Sequence, residues 1–241
     1  MNMSILLASN EPDFMIKGIF SYELFGHEVW ITTTHVSVLI VMILLLVFSA
    51  VVNAKLKKTD PYGKPPMIVN IAEFIVEFVN NMAEGVMGNK AAKFFNYIAT
   101  IAIFILISNI SGLLGLRPPT ADYGVTFPLG VLSFCLITFN KFKWQKPVGV
   151  LKGLCDPWPF WLPINLIGDF AVPISLSLRL FANILSGTVM MALYYGLLPV
   201  FVKVGIPSAL HVYFDLFSGA IQTYVFCMLT MTYISDAIGE G

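Results

Sequence analysis

Hydrophobic and polar positions alternate along this chain in long blocks, not residue by residue, as in a protein that crosses a membrane several times. No charge occurs between Glu28 and Lys55, and Ile31 to Asn53 reads as the first span. His35, near its start, reads as an interfacial histidine within reach of water. Lys55, Lys57, Lys58 and Lys64 follow, with Pro61, Pro65 and Pro66 marking a loop. From Met67 to Val86 the pattern changes in kind. Glu73, Glu77, Asn80 or Asn81, and Glu84 recur at helical spacing, with Ile71, Ile75, Phe78 and Met82 opposite them. This predicts an amphipathic helix, over about 67–88, that lies on the membrane or on a partner and does not cross.

Phe94 to Leu116 is the second span, with Asn96, Ser108, Asn109 and Ser111 turned towards other helices. A turn at Arg117 to Gly124 leads into a shorter third span, Val125 to Asn140, closed by Lys141, Lys143 and Lys146. Lys152 and the aromatic stretch Asp156 to Pro163 form an interfacial loop. The last two runs, about Ile164 to Val202 and Ile206 to Ile238, are longer than a perpendicular crossing needs. They predict a strongly tilted helical hairpin over 164–238, turning at Lys203, Gly205 and Pro207. All four tryptophans, Trp30, Trp144, Trp158 and Trp161, fall at span ends, where an aromatic belt sits. The expected fold is an all-α polytopic membrane protein, a single membrane domain over residues 1–241. It has an outer segment over 1–28, five crossings and one amphipathic interfacial helix.

Composition agrees and narrows the classes. Of the 241 residues 57% are hydrophobic and only 12% are charged, which excludes an ordinary soluble domain and makes the lipid bilayer the first partner. A net charge of zero gives no reason to expect nucleic acid. Cys135, Cys155 and Cys227 show no CxxC spacing and read as small hydrophobes, so no metal and no cofactor is expected. Met1 to Glu28 has no basic stretch ahead of an apolar one and does not resemble a cleaved signal. Five crossings place ten lysines on one side: Lys55, Lys57, Lys58, Lys64, Lys90, Lys93, Lys141, Lys143, Lys146 and Lys152. Lys17, Arg117 and Lys203 fall on the other. That asymmetry predicts an outer N-terminus and a cytoplasmic C-terminus.

The candidate chemistry begins with Arg179, the only charged residue from Phe170 to Val202. An arginine near the middle of an apolar span costs at least ~2.5–3.5 kcal/mol on insertion scales. Snorkelling is hard, because nine residues before it and more than twenty after it carry no charge. Pairing with a structural acid is the plain alternative. At about 100° per residue, Ser175 lies about 40° to one side of Arg179, Asn183 about 40° to the other, and Ser186 about 20° away. One face therefore reads Ser, Arg, Asn, Ser. Ala182, Ser186 and Gly187 leave room for close helix approach, and Pro173 frees the carbonyl of Asp169 and predicts a bend.

On the last helix His211, Asp215, Ser218, Gln222 and Tyr233 fall at spacings of 4, 3, 4 and 11, which match one helical face. Packed antiparallel, the two long helices bring Gln222 to the depth of Arg179, with Asp215 and His211 further out, near Thr188. This makes one polar path from the outer surface to the arginine. The inner side offers thinner candidates: Ser175, Asn165, Asp169 and Tyr233. A polar seam that satisfies itself between two helices is the competing reading of these residues.

The stretch Ser175-Leu-Ser-Leu-Arg179-Leu-Phe-Ala182-Asn183-Ile184 resembles the signature of subunit a of F-type ATP synthases, the membrane stator facing the rotating c-ring. Pro119 to Asp122, Pro163 to Asp169 and Gln222 to Tyr233 extend the resemblance over nearly the whole chain. It implies that Arg179 is the essential arginine facing the ring carboxylate, with Asn183 and Gln222 as its polar neighbours. It also implies that Asp215 serves an outer half-channel with His211 and Ser218 near it, and that Tyr233 serves the inner side. Thr188 departs from the family, standing where many members have Glu, so Asp215 carries the outer acid alone. Ala182 replaces the usual Gly. The implied partners are the c-ring proteolipid oligomer and peripheral-stalk subunit b, in the cell membrane of a bacterium. The implied activity is ion translocation, of protons first, through two half-channels separated by Arg179. A stand-alone channel or transporter built on the same Arg/Asp seam is the rival, although no clear internal repeat appears. An intramembrane enzyme fails on inventory, with no HExxH, no GxSxG and no paired intramembrane acids.

Overall fold

The computed structural model describes residues 18–24, 27–59, 65–114, 116–155, 158–197 and 210–239. The predicted turn at Lys203, Gly205 and Pro207, the Pro61 to Lys64 loop and residues 1–17 lie outside them. A β-hairpin comes first: β1 (Gly18–Leu24) pairs antiparallel with β2 (His27–Thr32). Six α-helices follow among the described residues: α1 (Thr33–Leu56), α2 (Met67–Met87), α3 (Ala91–Ile110), α4 (Tyr123–Leu154), α5 (Leu162–Leu197) and α6 (Gly219–Ile238). Single 3₁₀ turns join α2 to α3 at Gly88–Lys90 and precede α4 at Pro119–Ala121. A π-helical turn, Val212–Ser218, leads directly into α6. Five segments among the described residues are long and apolar enough to cross a membrane, with α2 and α3 falling in one continuous segment.

α1 has 24 residues, about 36 Å at 1.5 Å per residue, enough for the hydrocarbon core. It buries only Thr34, Ser37 and Val41, while Leu39, Met42, Ile43, Leu46 and Val47 stay exposed. His35 holds its start: the Thr32 N–H donates to His35 Nδ1 at 3.3 Å, and the Thr32 hydroxyl lies 2.7 Å from the same nitrogen. The interfacial histidine thus caps a helix.

α3 and α6 occupy the centre. Ile98, Ile101 and Ile105 of α3 pack with Phe226, Met231 and Ile234 of α6, and Leu176 and Leu180 of α5 join the same core. The most extensive helix–helix contact is that of α4 with α5. A methyl group placed on Gly130 of α4 would lie 2.7 Å from the Pro173 carbonyl oxygen and 3.1 Å from Ser177 Cβ. The missing side chain is what lets the two helices meet.

Three features differ from the pattern read in sequence. The third helix does not stop at Asn140 but continues through the lysines to Leu154. Lysines at an interface extend their charge into water and need not end a helix. α2 keeps its exposed acidic stripe, Glu73, Glu77 and Glu84, but its apolar face is split in two. Val69, Val79, Ala83 and Met87 are buried inside, whereas Met67, Ile71, Phe74 and Phe78 face outward. The β-hairpin had no counterpart in the helical pattern.

The Gly130 contact is testable. Gly130→Val is expected to cost about 1–3 kcal/mol of stability, read as a lower unfolding temperature of the purified protein. Gly85→Ala, whose new methyl would meet nothing within 4 Å, is expected to be neutral or slightly stabilising. Equal unfolding temperatures for the two variants would show that α4 and α5 do not touch at Gly130.

Candidate functional site

Arg179 sits midway along α5, and its side chain is exposed. Among the described residues it makes no salt bridge and no hydrogen bond. Ser175, Ala182, Ser186 and Met190 are exposed on the same stripe, and Ile174 and Leu178 are exposed on its flank. Beside them the final helix exposes Phe217, Ile221 and Tyr224. One cation therefore stands on a broad apolar surface, without an acid paired to it among the described residues.

Side-chain contacts fix how the last two helices face each other. Asn183 and Ser218 exchange hydrogen bonds, Nδ2 donating to Oγ at 3.0 Å and Oγ to Oδ1 at 3.2 Å in the alternative sense. Gly187 lies against Phe214, where an added Cβ would stand 3.4 Å from the Phe214 Cβ. Further out, the Tyr195 hydroxyl is 3.3 Å from His211 Nε2. As one residue number rises the other falls, so the helices run antiparallel. Continued one turn inward, this register sets Gln222 level with Arg179. Gln222 is buried and its Nε2 has no partner among the described residues, which leaves a donor in reserve at the arginine's level.

Outward of Gln222 lies the π turn. Its ring of i→i+5 bonds is an irregularity that often accompanies function. It carries Asp215, whose Oδ2 lies 2.8 Å from His211 Nδ1. The carboxylate packs against Gly112: a Cβ there would stand 3.2 Å from Asp215 Cγ. The Thr188 hydroxyl donates at 2.8 Å to Leu185 O in its own helix.

Asn109 of α3, 1% exposed, holds this end of the final helix in place. Its Nδ2 donates to Gly219 O at 3.0 Å, and its Oδ1 accepts from the Thr120 hydroxyl at 2.6 Å. Thr223 Oγ1 also donates to Gly219 O, at 2.8 Å. Gly219 is required here, since a Cβ would meet Asn109 Cβ at 2.8 Å. In the sequence pattern Asn109 has only a helix-facing role; its position at the junction of three elements depends on tertiary contacts.

The inner side has its own cleft, of about 410 Å³, between α4, α5 and α6. Asp169 and Tyr233 both line it, together with Lys141 and Asp236. Lys141 Nζ donates to Asp169 Oδ2 at 2.6 Å. Lys141 and Asp236 were not singled out from sequence as site residues. Asn165 and Ser175 are not in this cleft: Asn165 Nδ2 donates to Leu154 O at 3.0 Å, tying α5 to the end of α4, and Ser175 lies on the exposed stripe. Among the described residues no group of three or more His, Cys, Asp or Glu is placed to hold a metal.

The arrangement is an exposed cation flanked by an outer group of titratable side chains and a separate inner cleft. Comparison with known proteins points the same way. A family model described as ATP synthase A chain matches residues 35–235. The chain is 40% identical over 185 residues to ATP synthase subunit a, sodium ion specific, of Propionigenium modestum, covering 70% of this chain and 63% of that protein. It is 32% identical to ATP synthase subunit a 2 of Chlorobaculum tepidum, covering 91% of this chain and 66% of that one. It is 30% identical to ATP synthase subunit a of Macrococcus caseolyticus, covering 92% and 97%. The matched part thus spans just under two thirds of the first two relatives.

Removing the Asn109 clamp leaves the Gly219 carbonyl short of a donor and the Thr120 hydroxyl without its acceptor. Asn109→Leu is expected to lower stability by about 1–3 kcal/mol, measured by thermal unfolding in detergent. A variant as stable as the parent would mean that the clamp does not bear on the fold.

Proposed function

The chain belongs to the ATP synthase A chain family, and from that premise we propose that it is the ion-translocating stator subunit of a rotary F-type ATP synthase. Its place is a bacterial cell membrane, with the N-terminus outside and the C-terminus in the cytoplasm, as the ten-to-three asymmetry of basic residues favours. The observation that carries the reading is Arg179, exposed and unpaired among the described residues, on an apolar face between two polar regions. A guanidinium in that position is stable against lipid only if something charged or polar meets it. A ring of proteolipids, each presenting a carboxylate at mid-membrane, supplies such a surface.

The mechanism follows from charge. An ion enters from outside along His211 and Asp215, passes Ser218 and Asn183, and neutralises a ring carboxylate. A neutral site moves into lipid far more cheaply than an ionised one. After nearly a full turn the site reaches the inner cleft, at Asp169 and Tyr233, and gives up its ion. The bare carboxylate is then attracted to Arg179, which favours its ionised form. The fixed positive charge also opposes direct leakage between the two paths. Each unit charge crossing 100 mV releases ~2.3 kcal/mol, which the rotor delivers to the soluble head. The subunit itself makes and breaks no covalent bond.

The proton is the proposed ion, because His211 and Asp215 are titratable and hydrogen-bonded to each other. The Propionigenium relative is named for sodium. Peripheral-stalk subunit b is proposed to use the opposite part of the molecule. An apolar groove of about 790 Å³ among α1, α2, α3 and α4 has no residue of α5 or α6 in its lining.

Arg179→Ala is expected to leave the complex assembled, with the proteolipid oligomer co-purifying, and to abolish ion-driven ATP synthesis. Normal synthesis by the variant would remove the arginine from the mechanism. In the same preparation, stimulation of ATP hydrolysis by added Na⁺ would reassign the ion from proton to sodium.

A further inference from the structure

At the outer end of the last two helices three side chains form a bridge from α5 to the π turn. The Tyr195 hydroxyl is 3.3 Å from His211 Nε2, and His211 Nδ1 is 2.8 Å from Asp215 Oδ2. The roles of the two ring nitrogens follow from the inventory of donors. An ionised carboxylate offers only acceptors, so Nδ1 carries the hydrogen that points at Asp215. In the neutral imidazole Nε2 is then an acceptor, and the phenol is the donor placed beside it. All the hydrogens in the chain point the same way, from Tyr195 towards Asp215.

Exposure falls in the same direction. Tyr195 is 42% exposed, whereas the side chains of His211 and Asp215 are 35% and 14% exposed. The Tyr194 ring lies edge-on to the phenol at a centroid distance of 6.1 Å. At the inner end the carboxylate rests on Gly112, and Ser218 with Asn183 continues the polar line one turn deeper. Thr188 already donates its one hydroxyl hydrogen to Leu185 O in its own helix, so it has none left for an accepting His211 Nε2.

We propose that Tyr195 is a positioning residue of the outer ion path, acting through His211 to hold Asp215 at the end of the path nearest the arginine. The proposal rests on the stator reading and adds to it a contact from α5 that the sequence motif does not include. The role is orientation: a second hydrogen bond fixes the imidazole tautomer and plane, as a bonded partner does for any histidine that must present one chosen nitrogen.

The test uses the whole complex in proteoliposomes, with ATP synthesis driven at fixed membrane potential and the coupling ion varied on the outer side alone. Tyr195→Phe is expected to raise the half-saturating outer ion concentration about three- to tenfold, the worth of one hydrogen bond. The maximal rate and the dependence on inner ion concentration stay unchanged. Tyr195→Gln, which keeps a donor, is expected to recover part of the shift. An unchanged half-saturation in Tyr195→Phe, or a loss confined to maximal rate or to the amount of assembled complex, would overturn the proposal. Asp215→Asn in the same assay separates the two levels. If it alters the outer dependence while Tyr195→Phe does not, only the role of Tyr195 is lost. If neither variant alters it, the outer path itself is misplaced.

Discussion

A guanidinium exposed on an apolar face, with no acid paired to it among the described residues, constrains everything around it. Arg179 lies where its own helix offers Ile174, Leu178 and Met190 as exposed neighbours. Each of these is at home in lipid; the charge is not. The chain could have neutralised it internally, as membrane proteins commonly do, and the final helix brings polar groups to the right depth. Yet Asp215 is bonded to His211 and Asp169 to Lys141, so the two acids nearest the arginine along the paths are already engaged elsewhere. The cation is left available to a partner's charge. That single withheld ion pair gives the apolar face of α5 and α6 a specific purpose.

Holding the face open demands precision behind it. Small residues set the distances: Gly130 admits the Pro173 carbonyl, Gly112 admits the Asp215 carboxylate, and Gly219 admits Asn109. In lipid, where there is no hydrophobic drive between helices, close packing and interhelical hydrogen bonds have to supply the association. The Asn109, Thr120 and Thr223 contacts on Gly219 lie directly after the π turn. They fix the rotation of α6 at the point where its helical phase changes. Without them Gln222 would have no defined depth relative to Arg179.

Much of this was legible in the sequence because charge is rare in it. A lone Arg179 in a run of more than thirty residues, and an Asp215 spaced from His211 and Gln222 by helical turns, identify themselves. Other features leave no such mark. Hydropathy cannot distinguish a side chain facing lipid from one facing protein, so the two apolar halves of α2, Val79 and Ala83 against Phe74 and Phe78, looked like one. Lys141 read as the end of a span, although it is 28 residues from the Asp169 it bonds and depends on how α4 is turned. The π turn has no side-chain signature that a period of 3.6 would reveal. Tyr195 looked like one aromatic among nine tyrosines until the register of the two helices put it over His211.

The spacing of the engaged acids along the helices bears on how a voltage is used. Asp215 is seven residues from Gln222, about 10 Å of helix, and Asp169 is ten from Arg179, about 15 Å. Since Gln222 and Arg179 share a level, the two acids stand about 25 Å apart along the helix axes, close to the ~30 Å hydrocarbon core. Water reaching each acid from its own side would carry the bulk potential only a few ångströms into the core. Most of the field would then fall across the ~25 Å between the two acids, the zone that holds Arg179. An ion starting there towards the opposite path would face both the guanidinium and the dry packing of Leu176, Leu180 and Phe226. In the proposed mechanism it is carried as a neutral pair on a moving carboxylate, avoids both obstacles, and the drop in potential is spent on moving the carrier in one direction.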